Sequence, residues 1–322
     1  MTKMKYRTLG RTGLRVSEVG FGAWAIGGTS YGTTKDEESL EALAAAWEHG
    51  VSFFDTADTY GNGHSEELIG NFLKGKREKA VIATKVGWDF YHGGVKKNFD
   101  PDYIRFACDQ SLKRLQTDRI DLYQLHNPTL EMIERGEIFR VLDELKSAGK
   151  IRFYGISIYV PQEALAVIRS GKPDAIQLIF NLIDQRPAAE VFTEAQAKGI
   201  GVVVREPLAC GLLTGKYTAE STFAKNDHRN RWVRERMAND LQKLERFKSL
   251  LPLNRVPLVQ AALEFILSFE AVSVVIPGAK TKAQVLEHVR ASEDPQLRIQ
   301  EISLLRQAYE QEEIFQTGFH RN

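Results

Sequence analysis

Eight short apolar segments recur along this chain of 322 residues, most of them separated by longer stretches with a helical pattern. The segments are VSEVGFG (16–22), VSFFD (51–55), AVIATK (80–85), RIDLYQLH (119–126), KIRFYGIS (150–157), AIQLIF (175–180), GVVVR (201–205) and VSVVIPG (272–278). Strands that alternate with helices predict a parallel sheet covered by helices. Because the count reaches eight without a linker, we expect a (β/α)8 TIM barrel forming a single domain over residues 1–322. A doubly wound open sheet is the alternative.

The stretches between these segments carry helix start and stop signals. Residues 36–50 have three acids in the first turn and a glycine at the end, which suits the helix dipole and a helix C-terminus. Asp100 precedes Pro101, a pair typical of an N-cap and the first helical position. Residues 137–150 also finish on a glycine and a lysine. Each stretch therefore predicts a helix between two strands.

Two kinds of segment depart from the alternation. Residues 6–16 (YRTLGRTGLRV) predict a short N-terminal β-hairpin before the barrel begins. Residues 86–100 and 216–240 are the longest departures before the tail after Gln311. Long loops in a barrel usually carry function, so we expect extended active-site loops there.

Charge and cysteine content exclude several classes of protein. The 43 Lys and Arg residues nearly balance 42 Asp and Glu residues, which gives no reason to expect a nucleic acid or an anionic membrane as partner. Two cysteines, Cys108 and Cys210, form neither a disulfide framework nor a metal-binding cluster. The first sixteen residues lack the apolar core of a signal peptide, and no apolar run is long enough to span a bilayer. We expect a cytoplasmic protein with a small-molecule partner and no metal.

Four side chains that can take part in acid–base chemistry lie at or just after the ends of successive strands. Asp55 ends the second apolar segment, Lys85 the third and His126 the fourth, and Tyr60 follows in the loop after Asp55. Active sites of such barrels lie at the carboxyl ends of the strands. Each residue alone has an ordinary structural role as a helix cap, a snorkelling lysine or a packed ring. Their occurrence at neighbouring strand ends indicates one site.

These four groups suit the protonation of a carbonyl oxygen. A phenol has a pKa near ~10, and a nearby ammonium favours the phenolate and lowers that value. Asp55 would keep Lys85 charged and oriented, and His126 could donate to a substrate oxygen. The sequence offers no activated serine or cysteine to attack the carbon, so a hydride from a bound nicotinamide fits the remaining need.

Five motifs extend this pattern over nearly the whole chain: FFDTADTYGNGHSEELIG, VIATKVGW, RIDLYQLHNP, GLLTGKY and VIPGAKTKAQVLEH. In this order they resemble the aldo-keto reductase family. The resemblance implies a (β/α)8 barrel that binds NADPH in an extended pose and reduces aldehydes or ketones. It also implies that Asp55, Tyr60, Lys85 and His126 form the catalytic tetrad, with Tyr60 as general acid.

The same resemblance assigns residues to the cofactor. Ser157 and Gln177 match positions that hold the nicotinamide carboxamide. The loop over the pyrophosphate contributes Leu208, Gly211, Leu213 and Lys216, and the site of the adenosine 2′-phosphate contributes Gly278, Lys280, Lys282 and Gln284. The two lysines of this second group favour NADPH over NADH by their charge, whereas a solvated basic turn is the alternative.

Three positions depart from the family pattern. Ile158 stands where the family commonly has asparagine near the nicotinamide, and His288 stands where an asparagine usually meets the adenine. Arg205 occupies a position at which an aromatic ring often stacks on the nicotinamide. His288 and Arg205 remain cofactor-binding candidates, so we expect an altered contact at each of these positions.

Aromatic residues are the candidates for the substrate pocket. Trp88, Phe90 and Tyr91 follow Lys85 directly, and Trp24 is assigned to both the cofactor site and the pocket wall. Rings that face a catalytic site often hold sugars or other flat apolar faces, so a sugar or a sugar derivative is one candidate substrate. Packing of these rings against the barrel is the alternative. The basic segment 224–237 is either an anion-binding or a solvated face.

The sequence therefore predicts an NADP-dependent oxidoreductase that acts on an aldehyde or a ketone. Two other functions remain open at this point. One is an NADP(H)-binding regulatory subunit with slow turnover, such as the channel-associated members of the family. The other is a barrel lyase or isomerase in which Lys85 forms a Schiff base.

Overall fold

The computed structural model describes residues 4–28, 30–232, 234–292 and 296–316. The strands are β1 (Tyr6–Thr8), β2 (Arg15–Ser17), β3 (Phe21–Gly22), β4 (Phe53–Asp55), β5 (Val81–Val86), β6 (Trp88–Asp89), β7 (Lys96–Lys97), β8 (Ile120–His126), β9 (Ile151–Ser157), β10 (Ala175–Ile179), β11 (Gly201–Arg205) and β12 (Val272–Val275). The α-helices are α1 (Asp36–Glu48), α2 (His64–Leu73), α3 (Pro101–Leu115), α4 (Leu130–Arg135), α5 (Ile138–Ser147), α6 (Pro161–Ser170), α7 (Val191–Ala197), α8 (Arg234–Leu250), α9 (Leu258–Leu267), α10 (Lys282–Val289) and α11 (Ile299–Gln311).

Eight parallel strands form the barrel that the sequence predicts. Their order is β3, β4, β5, β8, β9, β10, β11 and β12, so each strand pairs with its neighbour in the chain once the two hairpins are set aside. The sheet closes where the Gly20 amide donates to the Val275 carbonyl over 2.8 Å and the Val275 amide donates to Glu18 over 2.9 Å. Alternation of strand and helix therefore produces a closed barrel, and the open-sheet alternative is wrong.

The first apolar segment differs from its prediction as one strand over 16–22. Val16 and Ser17 belong to β2, which pairs antiparallel with β1, whereas Phe21 and Gly22 form β3 and Val19 bridges to Val275 of β12. Residues 6–17 thus form the predicted hairpin. Hydrophobicity alone could not divide this segment, because both halves are buried.

The N-terminal hairpin covers the amino-terminal end of the barrel. Leu9, Leu14 and Val16 are buried among residues that point into the barrel, including Phe53 and Val203. Gly10 has a φ of +48°, and a Cβ there would lie 2.2 Å from the Gly201 amide nitrogen at the start of β11. The hairpin therefore seals one end, and a ligand must approach from the carboxyl ends of the strands.

The predicted start and stop signals lie at the observed ends of two helices, α3 and α1. The Asp100 carboxylate accepts hydrogen bonds from the amides of Asp102 and Tyr103, with Pro101 as the first residue of α3. Helix α1 begins with its three acids, ends at Glu48 and is followed by Gly50 with a φ of +84°. The Asp100 cap therefore satisfies two backbone amides at the start of α3.

Two long loops lie beside the carboxyl ends of the strands. One contains the antiparallel hairpin of β6 and β7, which follows directly on β5. The other runs from the end of β11 to the start of α8 and contains two short 3₁₀ segments, Ala209–Thr214 and His228–Arg231. Both loops coincide with sequence segments that depart from the strand–helix alternation.

Candidate active site

Lys85 of β5 contacts two other candidate catalytic residues, Asp55 at the end of β4 and Tyr60 in the loop that follows. Its ammonium nitrogen lies 2.5 Å from Asp55 Oδ1, 2.8 Å from the Thr56 carbonyl oxygen and 3.4 Å from the Tyr60 hydroxyl. Lys85 is 1% exposed and Asp55 is 2% exposed. Burial is the largest influence and lowers the pKa of Lys85, but the charges and hydrogen bonds of Asp55 and Tyr60 together raise that pKa by more. The ammonium is therefore a fixed charge beneath the phenol.

Tyr60 is placed by the turn that follows β4. Gly61 has a φ of +59°, and a Cβ on it would overlap the Gly27 carbonyl oxygen, so a glycine allows the two loops to touch. The Tyr60 ring stacks on Trp24, with ring centres 6.0 Å apart. Because Lys85 donates to the phenol oxygen, the phenol O–H remains available to a ligand.

The pKa of Tyr60 lies above its usual value of 10. Burial raises it most, and the Lys85 ammonium and the Arg205 guanidinium lower it by less. The sequence reasoning identified the lowering by Lys85 but could not weigh it against burial. At neutral pH the phenol therefore keeps its proton, as a general acid must.

His126 completes the group at the end of β8. Its ring meets the Tyr60 ring edge to face, with centres 6.0 Å apart. Burial lowers the pKa of His126 well below its usual range, and the charges of Lys85, Arg205 and Lys97 lower it further. The ring is thus neutral at pH 7, and its N–H can donate a hydrogen bond without adding a charge.

A cavity of about 450 Å³ opens above these residues. Asp55, Tyr60 and His126 contribute to its wall, whereas Lys85 lies behind them. The predicted cofactor residues that also line the cavity are Trp24, Gln177, Arg205, Leu208, Gly211, Lys216, Gly278, Lys280, Gln284 and His288. The structure therefore brings most of the sequence-predicted site together around one space.

Three predicted cofactor residues do not line this cavity. Ser157 is buried, with its hydroxyl 3.4 Å from Asn127 Oδ1, an atom of a residue that does line it. Leu213 is buried in the hydrophobic core. Lys282 is exposed at the start of α10. Their assignment to the cofactor remains a prediction.

The predicted pocket aromatics divide into two groups. Trp24 lines the cavity, whereas Trp88 does not line it but lies edge to face with His126, a lining residue, at a ring-centre distance of 6.5 Å. Phe90 and Tyr91 are not among the lining residues. They stack on each other at 4.1 Å, and Arg114 of α3 donates to the Tyr91 hydroxyl over 2.6 Å. These two rings thus pack the β6–β7 hairpin against a helix.

Positive side chains outnumber negative ones along the cavity wall. Arg205, Lys216, Arg229 and Lys280 face Asp55, Glu206 and Glu287. Burial lowers the pKa of Lys280, and the charge of Arg229 lowers it further. Arg205 is paired with Glu206 and Arg229 with Asp227, so the charge offered to a ligand lies mainly on the two lysines, which suits a ligand with phosphate groups.

Arg229 ties the long loop after β11 over the cavity. It forms a two-point ion pair with Asp227 and donates to the Tyr217 hydroxyl over 2.8 Å and to the Cys210 carbonyl over 3.3 Å. His228 packs its ring 4.6 Å from the centre of Trp24. Part of the basic segment 224–237 is therefore neither free nor fully solvated, because it closes one side of the site.

Tyr31 and Gln124 are among the residues of the site that sequence reasoning missed. Tyr31 lines the cavity, and no local motif marks it. Gln124 is fully buried and donates to Asp55 Oδ2 over 3.1 Å. Its signal was present, because a polar residue two positions before His126 on a strand shares the inward face with it.

The comparisons with known proteins agree with the fold. The model of the aldo/keto reductase family matches residues 18–310, so the chain belongs to this family of oxidoreductases. Aldo-keto reductase YhdN of Bacillus subtilis is 39% identical over 230 residues, which cover 70% of this chain and 69% of that protein. The holo form of aldo-keto reductase AKR11C1 from Bacillus halodurans superposes with a TM-score of 0.81 at 33% identity, covering 95% of this chain and 96% of that one.

Other relatives are named for different functions. An "NADH-specific methylglyoxal reductase" of Escherichia coli is 32% identical and covers 89% of this chain and 93% of its own length. A "Probable voltage-gated potassium channel subunit beta" of Arabidopsis thaliana is 31% identical and covers 89% of this chain and 91% of its own. Family membership therefore establishes a nicotinamide-using oxidoreductase fold and leaves the cofactor form to the residues of the site.

Two features are absent from the described residues, a membrane-spanning helix and a metal-binding cluster. Their helices are too short or too polar to span a membrane. They contain no group of three or more His, Cys, Asp or Glu side chains placed to hold a metal ion.

Proposed function

We propose that this chain is an NADPH-dependent reductase of aldehydes or ketones in which Tyr60 protonates the carbonyl oxygen. The observation that carries the proposal is the position of the Lys85 ammonium, which bridges the Asp55 carboxylate and the Tyr60 hydroxyl at the floor of the cavity. When bound, the cofactor supplies a hydride to the carbonyl carbon.

The residues of this chain divide the remaining work. Tyr60 gives its proton to the oxygen on which negative charge develops, and the fixed charge of Lys85 stabilises the phenolate that results. The neutral His126 donates a hydrogen bond that orients the same oxygen. The aromatic rings of Trp24 and Trp88 flank this position and help to exclude water. A panel of aldehydes, ketones and sugars, followed by NADPH absorbance, tests the activity and ranks the substrates.

The cations near the end of the cavity favour a cofactor with an additional phosphate. Lys280 follows Gly278 at the carboxyl end of the β12 region, and its amide nitrogen donates to Gln284 Oε1 over 2.8 Å. Its ammonium donates to the Tyr31 carbonyl, which is a neutral partner and not a carboxylate. We therefore assign Lys280 to the 2′-phosphate of NADPH.

Lys280→Ala is expected to weaken NADPH binding about tenfold while NADH binding changes little. A charge-assisted contact contributes about 1–2 kcal/mol, which corresponds to that change in affinity. Fluorescence titration of both cofactors measures the effect, and Lys198→Ala, which removes an exposed lysine at the end of α7 and outside the cavity, is the control. Equal losses for the two cofactors would remove Lys280 from this role.

The Arg205 side chain belongs to the cavity wall and also to an ion pair. It lines the cavity, and it also pairs with Glu206 over 2.8 Å and donates to the Ile158 carbonyl over 3.1 Å. The oxidised nicotinamide ring is a cation and the reduced ring is neutral. The charge of Arg205 therefore opposes NADP⁺, and the charge of Glu206 reduces this effect.

Arg205→Met is expected to improve NADP⁺ binding relative to NADPH several-fold, equivalent to about 1 kcal/mol. Glu206→Gln should shift the ratio of the two dissociation constants in the opposite direction, because it leaves Arg205 uncompensated. Titration of both cofactor forms against the three proteins measures the ratios. A ratio that is the same in all three would show that the nicotinamide does not feel this charge.

A regulatory subunit is the second candidate function, favoured by the relative that is named as a channel subunit. It would bind the same cofactor but turn over slowly. Turnover on the carbonyl panel separates the two functions. The Schiff-base alternative has less support, because the raised pKa of Lys85 keeps the amine protonated and therefore not nucleophilic. Borohydride trapping in the presence of substrate would label Lys85 if that alternative held.

A further inference from the structure

A lysine of the β6–β7 hairpin lies beside His126 at the edge of the candidate site. Lys97 Nζ donates to the Asn127 carbonyl oxygen over 2.7 Å and lies 5.5 Å from the centre of the Trp88 ring. Asn127 lines the cavity and directly follows His126, and the charge of Lys97 is close enough to lower the pKa of His126. Lys97 itself is exposed and does not line the cavity, so its ammonium lies at the rim.

The charge of Lys97 differs from the other charges near the tetrad in having no ion-pair partner among the described residues. Its hydrogen-bond partner is a neutral backbone carbonyl. By contrast, Lys85 is paired with Asp55, and Arg205 is paired with Glu206. An ammonium has three N–H donors, so two of those on Lys97 remain for a ligand.

The Lys97 charge is also separate from the charge assigned to the cofactor phosphate. In the closed barrel β8 and β12 are four strands apart and therefore lie on opposite sides. Lys280 follows β12, whereas Lys97 contacts the residue that follows β8. A cofactor that extends from the tetrad towards Lys280 leaves the side of Lys97 to the substrate.

We propose that Lys97 selects carbonyl substrates that carry a carboxylate, which it binds while Tyr60 and His126 contact the carbonyl oxygen. One ammonium matches the single charge of a carboxylate, whereas a phosphate group carries about two negative charges at neutral pH. The Trp88 ring beside the ammonium offers an apolar face to the carbon atoms between the two groups. The inference rests on the proposed function, because the carbonyl group must lie at Tyr60.

Two substrates that differ mainly in charge test this selection. The first is 4-carboxybenzaldehyde, and the second is its methyl ester, which keeps the ring and the aldehyde but not the charge. NADPH absorbance at low ionic strength gives kcat/KM for each. The two aldehydes differ in reactivity, so the acid-to-ester ratio is compared between proteins. Lys97→Gln should lower this ratio about two- to fivefold, mainly through KM of the acid, because an exposed ion pair has an effect of this size.

Lys96→Gln is the matched control. Lys96 is the neighbouring exposed lysine of β7, and successive side chains of a strand point to opposite faces. This variant loses the same net charge as Lys97→Gln but should keep the wild-type ratio. Lys97→Arg should keep most of the ratio, and Lys97→Glu should lower it further than Lys97→Gln. Added salt should lower the wild-type ratio, because the ammonium is exposed.

The possible outcomes separate this inference from the proposed function. A ratio that is the same in the wild type, Lys97→Gln and Lys97→Glu overturns the inference. An equal fall in Lys96→Gln and Lys97→Gln also overturns it, because the effect would then come from net charge alone. A wild type that reduces other aldehydes but not the acid has the same consequence. Failure of the wild type to reduce any member of the carbonyl panel would instead overturn the proposed function.

Discussion

Tyr60→Phe is expected to lower kcat by roughly 10²–10⁴-fold while NADPH binding stays nearly unchanged. The phenylalanine keeps the ring that stacks on Trp24 but lacks the hydroxyl proton that the proposed mechanism transfers to the carbonyl oxygen. The Lys85–Asp55 ion pair remains intact, so the fold should not be disturbed. Steady-state reduction of the best aldehyde from the panel, together with cofactor titration, measures the two quantities.

Tyr154→Phe is a suitable control for the loss of a partly buried phenol. The Tyr154 hydroxyl donates to Asp143 over 2.8 Å, and neither residue lines the cavity. Its removal should change stability slightly and kcat by less than a few-fold. Turnover close to that of the wild type in folded Tyr60→Phe would show that another group supplies the proton.

Lys85→Met is expected to reduce kcat about as severely and to destabilise the protein as well. The phenolate that forms when Tyr60 gives up its proton would lose the ammonium that stabilises it. Asp55 would become a buried charge without its ion-pair partner, an imbalance that costs about 3–5 kcal/mol of folding free energy. Urea unfolding and steady-state kinetics measure the two losses separately.

The double variant Asp55→Asn/Lys85→Met separates these effects. It removes both charges, so stability should recover by a large part while activity stays low.

Lys85 also lowers the pKa of Tyr60, so its removal in Lys85→Met raises that pKa. Alcohol oxidation requires the phenolate, whose fraction at a given pH falls as the pKa rises. Any residual oxidation by Lys85→Met should therefore need a higher pH than in the wild type. Restored activity in the double variant would contradict the role of Lys85.

The regular parts of the fold could be predicted because they depend on local patterns. Eight apolar segments correspond to the eight barrel strands, and the Asp100–Pro101 pair begins α3. The division of residues 16–22 between the hairpin and the barrel could not be predicted, because burial is the same on both sides of Gly20. Local hydrophobicity reports burial and does not identify the pairing partner.

The site follows the same distinction. Asp55, Lys85 and His126 could be placed because a barrel brings the carboxyl ends of neighbouring strands together. The orientation of Phe90 depends instead on Arg114 of α3, far away in the sequence, so a local run of aromatic residues could not separate pocket from packing. The net direction of the Tyr60 pKa likewise depends on burial, a quantity set by the whole fold.

Closure of the barrel also has a consequence for how the chain folds. The last parallel pairing joins the segment beside β3 to β12, and Arg7 of the N-terminal hairpin donates to the Val272 carbonyl 265 positions away. Pairings at such sequence separation form slowly, since a long loop must be ordered before they contribute. During synthesis, one edge of β3 stays unpaired until β12 has been made. An unpaired strand edge is prone to association with other chains. Most of the polypeptide must therefore be synthesised before β3, the first barrel strand, can pair with β12, its second neighbour.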